Sequence, residues 1–252
     1  MKKRLVFLLF LLRVLAFPTQ GIGQDETSDS TSEAFLLTLN QDNVFGFNPA
    51  VYGSFGLGKD GVSEGVSLTY YSIFWTNPSF GTLFDGSDLW LETGVGLGFT
   101  GLSERLFLNP SLGLTHGRVL SDSPRGAFAE GIVPSITALF KDGMLEGELY
   151  FSYYKALQNK GSNSGDYLLY WILPGVRVSK RFSLGMHFER FERIRHARGD
   201  TGKQYVWLGG YIKFNLSDRY TFRLSGGVND ADNGIYGDSF YKLNVAIALP
   251  GK

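Results

Sequence analysis

The chain has 252 residues, no cysteine, and 24 basic side chains balanced by 24 acidic ones. This balance excludes the strongly basic patches of nucleic-acid-binding proteins, and the lack of cysteine excludes disulfides, a lipoprotein anchor and thiolate chemistry. The length is that of one domain behind an export signal, and the 33 glycines with 15% aromatic residues favour an all-β chain.

The N-terminus is predicted to be a cleaved signal peptide covering residues 1–23. Basic residues open the chain, an apolar run follows at Leu5–Phe17, and the small residues of Gly21-Ile22-Gly23 offer a cleavage site. The apolar run is shorter than the roughly 20 residues that a membrane-spanning helix needs. We therefore expect an exported protein with a polar tail at 24–33 and a single β-barrel domain at 34–252.

Behind the tail, short segments alternate apolar and polar residues. Between 89 and 99 the odd positions are mainly Leu, Val and Phe, whereas the even positions are Trp90, Glu92 and glycines. Side chains of a strand alternate between its two faces, so each segment has one apolar and one polar face. Such segments are predicted at 34–41, 44–57, 62–76, 88–100, 105–117, 130–140, 144–157, 167–178, 182–193, 204–216, 220–229 and 239–249.

These segments predict an all-β fold, an antiparallel up-and-down transmembrane β-barrel of twelve strands, with ten as the alternative. The segment at 34–41 is included because a barrel with both termini in the periplasm needs an even number of strands. Short and long connections alternate along the chain. The short ones are predicted to be periplasmic turns and the longer ones, at 77–87, 118–129, 158–166, 194–203 and 230–238, to be outer loops.

Charged residues fall on the face opposite the aliphatic residues. A charge on the lipid face at mid-depth costs ~2–4 kcal/mol, so this face is predicted to line the lumen. The predicted lumenal set is Glu92, Arg105, Glu146, Glu148, Arg177, His187, Glu189, Lys213, Arg223 and Lys242. The signs nearly balance, which favours paired charges filling the interior over a selective pore, since such a pore carries one sign.

Large aromatic residues near the predicted outer loops share the inward face. They are Trp75, Trp90, Trp171, Trp207, Tyr71, Tyr167, Tyr205 and Tyr211. One interpretation is an interfacial girdle, or a cork that closes the barrel. The other is an aromatic-lined mouth that binds a ligand.

Four prolines lie inside predicted strands on the outward face, at positions 49, 110, 134 and 174. Proline removes a hydrogen bond from the strand ladder and is normally excluded from central strands. These prolines are predicted to mark bulges or kinks. A lateral opening for a hydrophobic molecule is the alternative.

The sequence shows no catalytic or metal-binding motif. Ser111 and His116 share a strand but not a face, and His187 with Glu189 is interpreted as a charge pair. The loop at 229–234 lacks the full spacing of a calcium-binding loop and is interpreted as a solvated turn. We therefore predict no enzyme activity and no cofactor.

Several stretches resemble an uncharacterised family of bacterial exported, outer-membrane β-barrel-like proteins, a domain of unknown function. They are Phe45–Pro49, Gly53–Phe55, Ser72–Trp75, Asn109–Gly113, Gly131–Pro134, Glu146–Phe151, Phe182–Glu189 and Trp207–Tyr211. The resemblance implies export and a barrel-like fold, and it brings no known activity.

We expect a bacterial outer-membrane barrel that conducts or binds a small solute, including a hydrophobic one. The expected partners are the lipid bilayer, the barrel assembly machinery during biogenesis and the solute. The alternatives are a structural barrel with a packed, salt-bridged lumen and a soluble periplasmic β-sandwich. A lipid-modifying outer-membrane enzyme is the least favoured alternative.

Overall fold

The computed structural model describes residues 34–57, 65–75, 90–123, 125–199, 201–230 and 237–249. The predicted signal peptide, the polar tail and the predicted loop at 77–87 lie outside the described residues, as does most of the predicted loop at 230–238. None of the described residues forms a helix that is long and apolar enough to cross a bilayer.

Twelve antiparallel strands in the described part of the chain close into one barrel, with each strand beside its sequence neighbours and β1 beside β12. The strands are β1 Ala34–Asp42, β2 Gly46–Gly56, β3 Val66–Trp75, β4 Trp90–Gly101, β5 Leu106–Gly117, β6 Ala127–Asp142, β7 Leu145–Ala156, β8 Gly165–Arg177, β9 Phe182–His196, β10 Gly202–Asn215, β11 Tyr220–Asn229 and β12 Ser239–Leu249. The predicted fold and the strand number of twelve are confirmed.

The strand β1, which was predicted because the number of strands must be even, closes the barrel. It pairs with β12 from Phe35 opposite Leu249 to Asp42 opposite Lys242, and with β2 along its other edge. The alternative of ten strands is therefore wrong.

The apolar faces of the strands point away from the barrel axis. Val95 on β4 and Leu224 on β11 are 60% and 57% exposed in the middle of their strands, whereas Glu92 on β4 is fully buried. Because the sheet closes on itself, these apolar residues have no second sheet to pack against. The soluble β-sandwich alternative is wrong for this reason.

The four prolines do not produce bulges. In the ladder between β4 and β5, Gly96 lies opposite Ser111 and Phe99 opposite Leu108, so the register is the same on both sides of Pro110. The β6–β7 ladder at Pro134 and the β8–β9 ladder at Pro174 are also interrupted, and the register is again the same on both sides of each gap. Register shifts occur elsewhere, at 115/117, 166/167 and 203/205. The predicted bulges at prolines are therefore wrong.

The two ends of the barrel differ in their connections. We call the end with the connections at 118–126, 157–164, 197–201 and 230–238 the outer end, and the end with the turns at 102–105, 143–144, 178–181 and 216–219 the inner end. The three-residue turn at 43–45, between β1 and β2, is a short connection at the outer end. The predicted strand at 44–57 placed Val44 and Phe45 in β2, and the structure corrects this.

Candidate lumenal site

The outer half of the lumen is filled by packed side chains. We call six of its rings the aromatic layer: Phe45, Trp90, Phe191, Tyr205, Trp207 and Phe240. Trp207 is fully buried and stacks between Tyr205, with ring centroids 4.3 Å apart, and Phe240, with centroids 4.7 Å apart. Stacked and edge-to-face rings at these distances add about 0.5–1.5 kcal/mol per pair beyond the burial of their surface.

Phe45 enters the aromatic layer from the turn between β1 and β2. The Asp42 carboxylate accepts hydrogen bonds from the backbone N–H groups of Val44 (2.9 Å) and Phe45 (2.6 Å), which fixes the turn. The Phe45 ring centroid lies 5.0 Å from that of Trp75 and 5.8 Å from that of Phe191. In the sequence, Asp42 stands two residues before the apolar pair Val44 and Phe45, and this pattern could have predicted the turn.

Below the aromatic layer, Glu92 accepts hydrogen bonds from three neutral donors. The Tyr71 hydroxyl lies 2.9 Å from Oε1, while Trp75 Nε1 (2.9 Å) and the Tyr154 hydroxyl (3.1 Å) both donate to Oε2. Tyr154 lies on β7, three strands away from Glu92 on β4, so this contact crosses the lumen. Among the described residues, no cation forms a salt bridge with Glu92.

Three ion pairs join side chains across the lumen, two toward the inner end and one, Lys242 with Glu189, directly below the aromatic layer. Lys213 Nζ lies 2.5 Å from Glu146, Arg223 Nη1 lies 2.7 Å from Glu148, and Lys242 Nζ lies 2.8 Å from Glu189. The partners of each pair are three or four strands apart around the barrel, so each pair joins strands that are not neighbours in the sheet.

Each of these carboxylates also accepts a hydrogen bond from an aromatic side chain. The donors are Tyr211 to Glu146 (3.1 Å), Trp171 to Glu148 (2.7 Å) and Tyr205 to Glu189 (2.7 Å). A carboxylate with a cation and an aromatic donor is well compensated in a partly buried setting.

The ring of Tyr71 covers small residues on the neighbouring strands. A Cβ atom on Gly94 would lie 2.4 Å from the Tyr71 ring, and one on Gly113 would lie 2.3 Å from its hydroxyl oxygen. The glycines therefore provide the space that lets this tyrosine lie flat against the wall and reach Glu92.

The inward-facing side chains toward the inner end are polar and partly exposed, and they form two different walls. We call this space the vestibule; one wall is formed by Glu146, Glu148, Lys213 and Arg223, the other by Ser111, Ser135 and Thr137. The side chains of Lys213 and Glu148 keep 23% and 24% of their surface exposed. Among the described residues, the vestibule thus lies on the inner side of the buried Glu92 and of the aromatic layer.

Two predicted lumenal charges lie outside this network. Arg105 is in the turn between β4 and β5, where it pairs with Asp142 at 3.3 Å and is largely exposed. Arg177 ends β8 and donates to the backbone carbonyl of Gly143. Both face the rim of the inner end because the strands end there, and their assignment to the lumenal set is corrected.

The eight predicted mouth aromatics all point into the barrel, so they form no girdle at its outer surface. Trp90, Trp207 and Tyr205 belong to the aromatic layer, and Trp75 and Tyr167 pack against its rings. The others, Tyr71, Tyr211 and Trp171, lie lower; Trp171 stacks on Tyr150 with centroids 4.2 Å apart.

Glu130, which is absent from the predicted set, holds the loop after β5 over the outer end. Its carboxylate accepts hydrogen bonds from the backbone N–H groups of Val119, Leu120 and Ser121 at 2.9–3.2 Å and from the Ser121 hydroxyl at 2.7 Å. Leu120 is thereby buried against the aromatic layer. The role of Glu130 depends on the loop groups that donate to its carboxylate. The sequence does not show these contacts, so nothing in it separates Glu130 from other strand residues.

The histidines do not converge on one site. His116 faces outward, where its ring contacts the Thr93 hydroxyl (3.3 Å) and accepts from the backbone N–H of Ala129 (3.1 Å). His187 lies inside the lumen, 3.1 Å from Glu189. Within the described ranges, no group of three or more His, Cys, Asp or Glu residues is arranged to hold a metal ion.

Comparisons with known proteins relate the fold to outer-membrane channels. No curated protein sequence matches the chain. The NanC porin is 8% identical with a TM-score of 0.50, and the alignment covers 87% of this chain and 100% of the porin. The COG4313 outer membrane channel from Pseudomonas putida F1 is 9% identical with a TM-score of 0.50, covering 90% of this chain and 100% of the channel.

At this identity the likeness concerns the fold alone, and it agrees with the closed barrel described above. A family model covers nearly the whole chain, at residues 1–249. The chain belongs to DUF6733, a family of unknown function.

Proposed function

We propose that this chain is a bacterial outer-membrane barrel that holds a small solute in a vestibule open to the periplasm and is shut at its outer end at rest. The aromatic layer is the observation that carries this proposal. Its buried rings lie between the vestibule and the outer end, and Trp207 and Tyr205 are fully buried. Any solute that passed through would have to displace them.

The apolar outer surface supports the membrane location. Exposed apolar residues such as Val95, Ile212 and Leu224 lie at mid-strand on several strands, and soluble monomers rarely expose contiguous apolar patches of this kind. Short turns at the inner end support a periplasmic orientation of that end, as in outer-membrane barrels generally. Export by a cleaved signal peptide and insertion by the barrel assembly machinery are part of the proposal.

The vestibule supports solute binding over a purely structural role. A lumen that served only to stiffen the wall would be packed throughout, whereas the Glu148 and Lys213 side chains remain about a quarter exposed. No catalysis is assigned to the chain, because His116 and His187 lie on opposite sides of the barrel wall.

A structural barrel is the second candidate, and the three ion pairs that cross the lumen favour it.

Two single-cysteine variants separate the candidates in this cysteine-free chain. Thr137 and Val133 share the inward face of β6; Thr137 borders the vestibule, and Val133 is fully buried in the outer half. In lipid nanodiscs, Thr137→Cys should react with a small charged thiol reagent at least tenfold faster than Val133→Cys.

Equal, slow modification of both cysteines would support the packed structural barrel and contradict the vestibule. Closure is tested by conductance in planar bilayers, where the wild-type protein should show no steady channel current. A constant ohmic current through the wild type would contradict closure.

A further inference from the structure

We infer that the blind end of the vestibule binds a small primary alkylammonium ion, with the Glu92 carboxylate as its counter-charge. The inference rests on the proposed function, because such a ligand must enter through the vestibule. It adds the chemical class of the solute and the residue that recognises it.

The charges of the lumen point to a missing cation. Glu146, Glu148 and Glu189 each have a basic partner within 2.8 Å, and Glu92 has none among the described residues. A buried carboxylate without an opposite charge is costly, even when neutral groups donate hydrogen bonds to it. Of these four carboxylates, Glu92 is the one without a basic partner, and a bound cation would supply the missing charge.

The surroundings of Glu92 favour an organic cation over a metal ion. Tyr71, Trp75 and Tyr154 donate to the carboxylate, and the Trp90 ring centroid lies 5.7 Å from that of Trp75 and 6.2 Å from that of Tyr154. Ring faces attract ammonium groups whose alkyl part also prefers an apolar environment. Calcium and magnesium instead require about six oxygen ligands, of which one carboxylate supplies only two.

The carboxylate has a free acceptor position that suits an ammonium N–H. Oε1 accepts only from Tyr71, whereas Oε2 accepts from both Trp75 and Tyr154. Each carboxylate oxygen has room for two donors, so Oε1 can take one more without loss of the existing bonds. A primary ammonium group donates such a bond, and a quaternary one does not.

Small residues lead from the vestibule to this position. The inward face of β4 below Glu92 carries Gly94 and Gly96, and Ser111 and Ser135 border them. The Tyr71 ring lies over Gly94 and covers Glu92 on this side. The neighbouring ring of Tyr52 lies 6.4 Å away and is itself half-buried at the vestibule. In the proposed complex, the Tyr71 ring turns aside and the ammonium group donates to Oε1.

The test is calorimetric titration of the full barrel in nanodiscs with n-butylammonium, with n-butanol as the neutral probe of the same shape. The wild type should bind butylammonium and not butanol. Glu92→Gln should weaken binding of butylammonium at least tenfold. Glu130→Gln is the matched control, because Glu130 is an equally buried carboxylate bonded only to neutral donors, at the outer end; it should bind as the wild type does.

Tyr71→Phe provides an independent check if Glu92→Gln fails to fold. It removes the hydroxyl that donates to Oε1 and keeps the ring, so butylammonium should bind at least as tightly as to the wild type. Absence of butylammonium binding, equal binding of butanol, or unchanged binding to Glu92→Gln would overturn the inference. None of these outcomes alters the cysteine-modification and conductance results, so the proposed function stands or fails separately.

Discussion

The ring of Tyr211 on β10 lies directly against the backbone of Gly185 on β9, so that a Cβ atom at position 185 would come within 2.3 Å of the ring. The same ring extends over Gly175 on β8, and its hydroxyl donates to Glu146 on β7 at 3.1 Å. One side chain therefore spans four neighbouring strands. Tyr71 on β3 lies in a similar way over Gly94 on β4 and Gly113 on β5, and its hydroxyl donates to Glu92 on β4, so it spans three strands.

Gly185→Ala should destabilise the barrel by about 1–3 kcal/mol, because the added methyl group displaces the Tyr211 ring and breaks its hydrogen bond to Glu146. Urea unfolding in lipid vesicles, followed by tryptophan fluorescence, measures the change. Gly147→Ala is the control, since a Cβ there meets nothing within 4 Å. Equal stability of the two variants would contradict the packing role of Tyr211.

Phe45→Ala should open the outer end. The substitution removes one ring from the aromatic layer while Asp42 still holds the turn, so steady or flickering current should appear in planar bilayers where the wild type shows none. The control is Phe47→Ala, two residues further along the chain, because Phe47 faces outward and is 51% exposed. Absence of current through Phe45→Ala, or equal current through Phe47→Ala, would contradict closure by the aromatic layer.

Glu148 and Arg223 should be energetically coupled across the lumen. A double-mutant cycle with Glu148→Gln and Arg223→Met should give a coupling energy of about 1–3 kcal/mol, since the pair is partly screened by water in the vestibule. Unfolding of the four proteins in one lipid provides the measurement. Arg105 and Asp142 form a control pair at the exposed inner rim, where about 0.2–1 kcal/mol is expected. A larger coupling at the rim would contradict the lumenal assignment.

Val95→Arg should cost about 2–4 kcal/mol, because Val95 lies outward at mid-strand, where the proposed bilayer places hydrocarbon. Leu102→Arg, in the inner turn after β4, should cost at most ~1 kcal/mol since the turn lies near the interface. Vesicle unfolding compares the two variants, and heat-modifiable mobility on gels reports the folded barrel. Similar costs for both substitutions would argue against the membrane placement.

The alternation of apolar and polar residues was sufficient to predict the strands and their faces, since a strand offers only two faces. The parity of the strand count then predicted β1. Partners across the lumen, such as Glu146 with Lys213, were not predictable, because their approach depends on how the closed sheet curves and not on spacing in the chain. Arg105 was misassigned for a different reason. The alternation of residues places it on the inward face, but β5 begins only at Leu106, so Arg105 lies in the turn.

The rule that a proline inside a central strand marks a bulge was applied too broadly to this chain. In an antiparallel strand, the N–H and C=O of one residue point to the same neighbour, and the next residue points to the other. A proline therefore interrupts one ladder only. Pro110 is still opposite Ile136 on β6 while its ladder to β4 is interrupted, and so the strand continues without a bulge.

The placement of Lys242 on the final strand has a consequence for biogenesis. Its partner Glu189 belongs to β9, and β12 also joins β1 through a side-chain hydrogen bond of 2.7 Å between Asn244 and Asn40. During folding, Glu189 gains this cation only when β12 joins the sheet. The polar interior is therefore completed together with the seam, and a polypeptide truncated before β12 would lack both the Lys242 cation and the contact with β1.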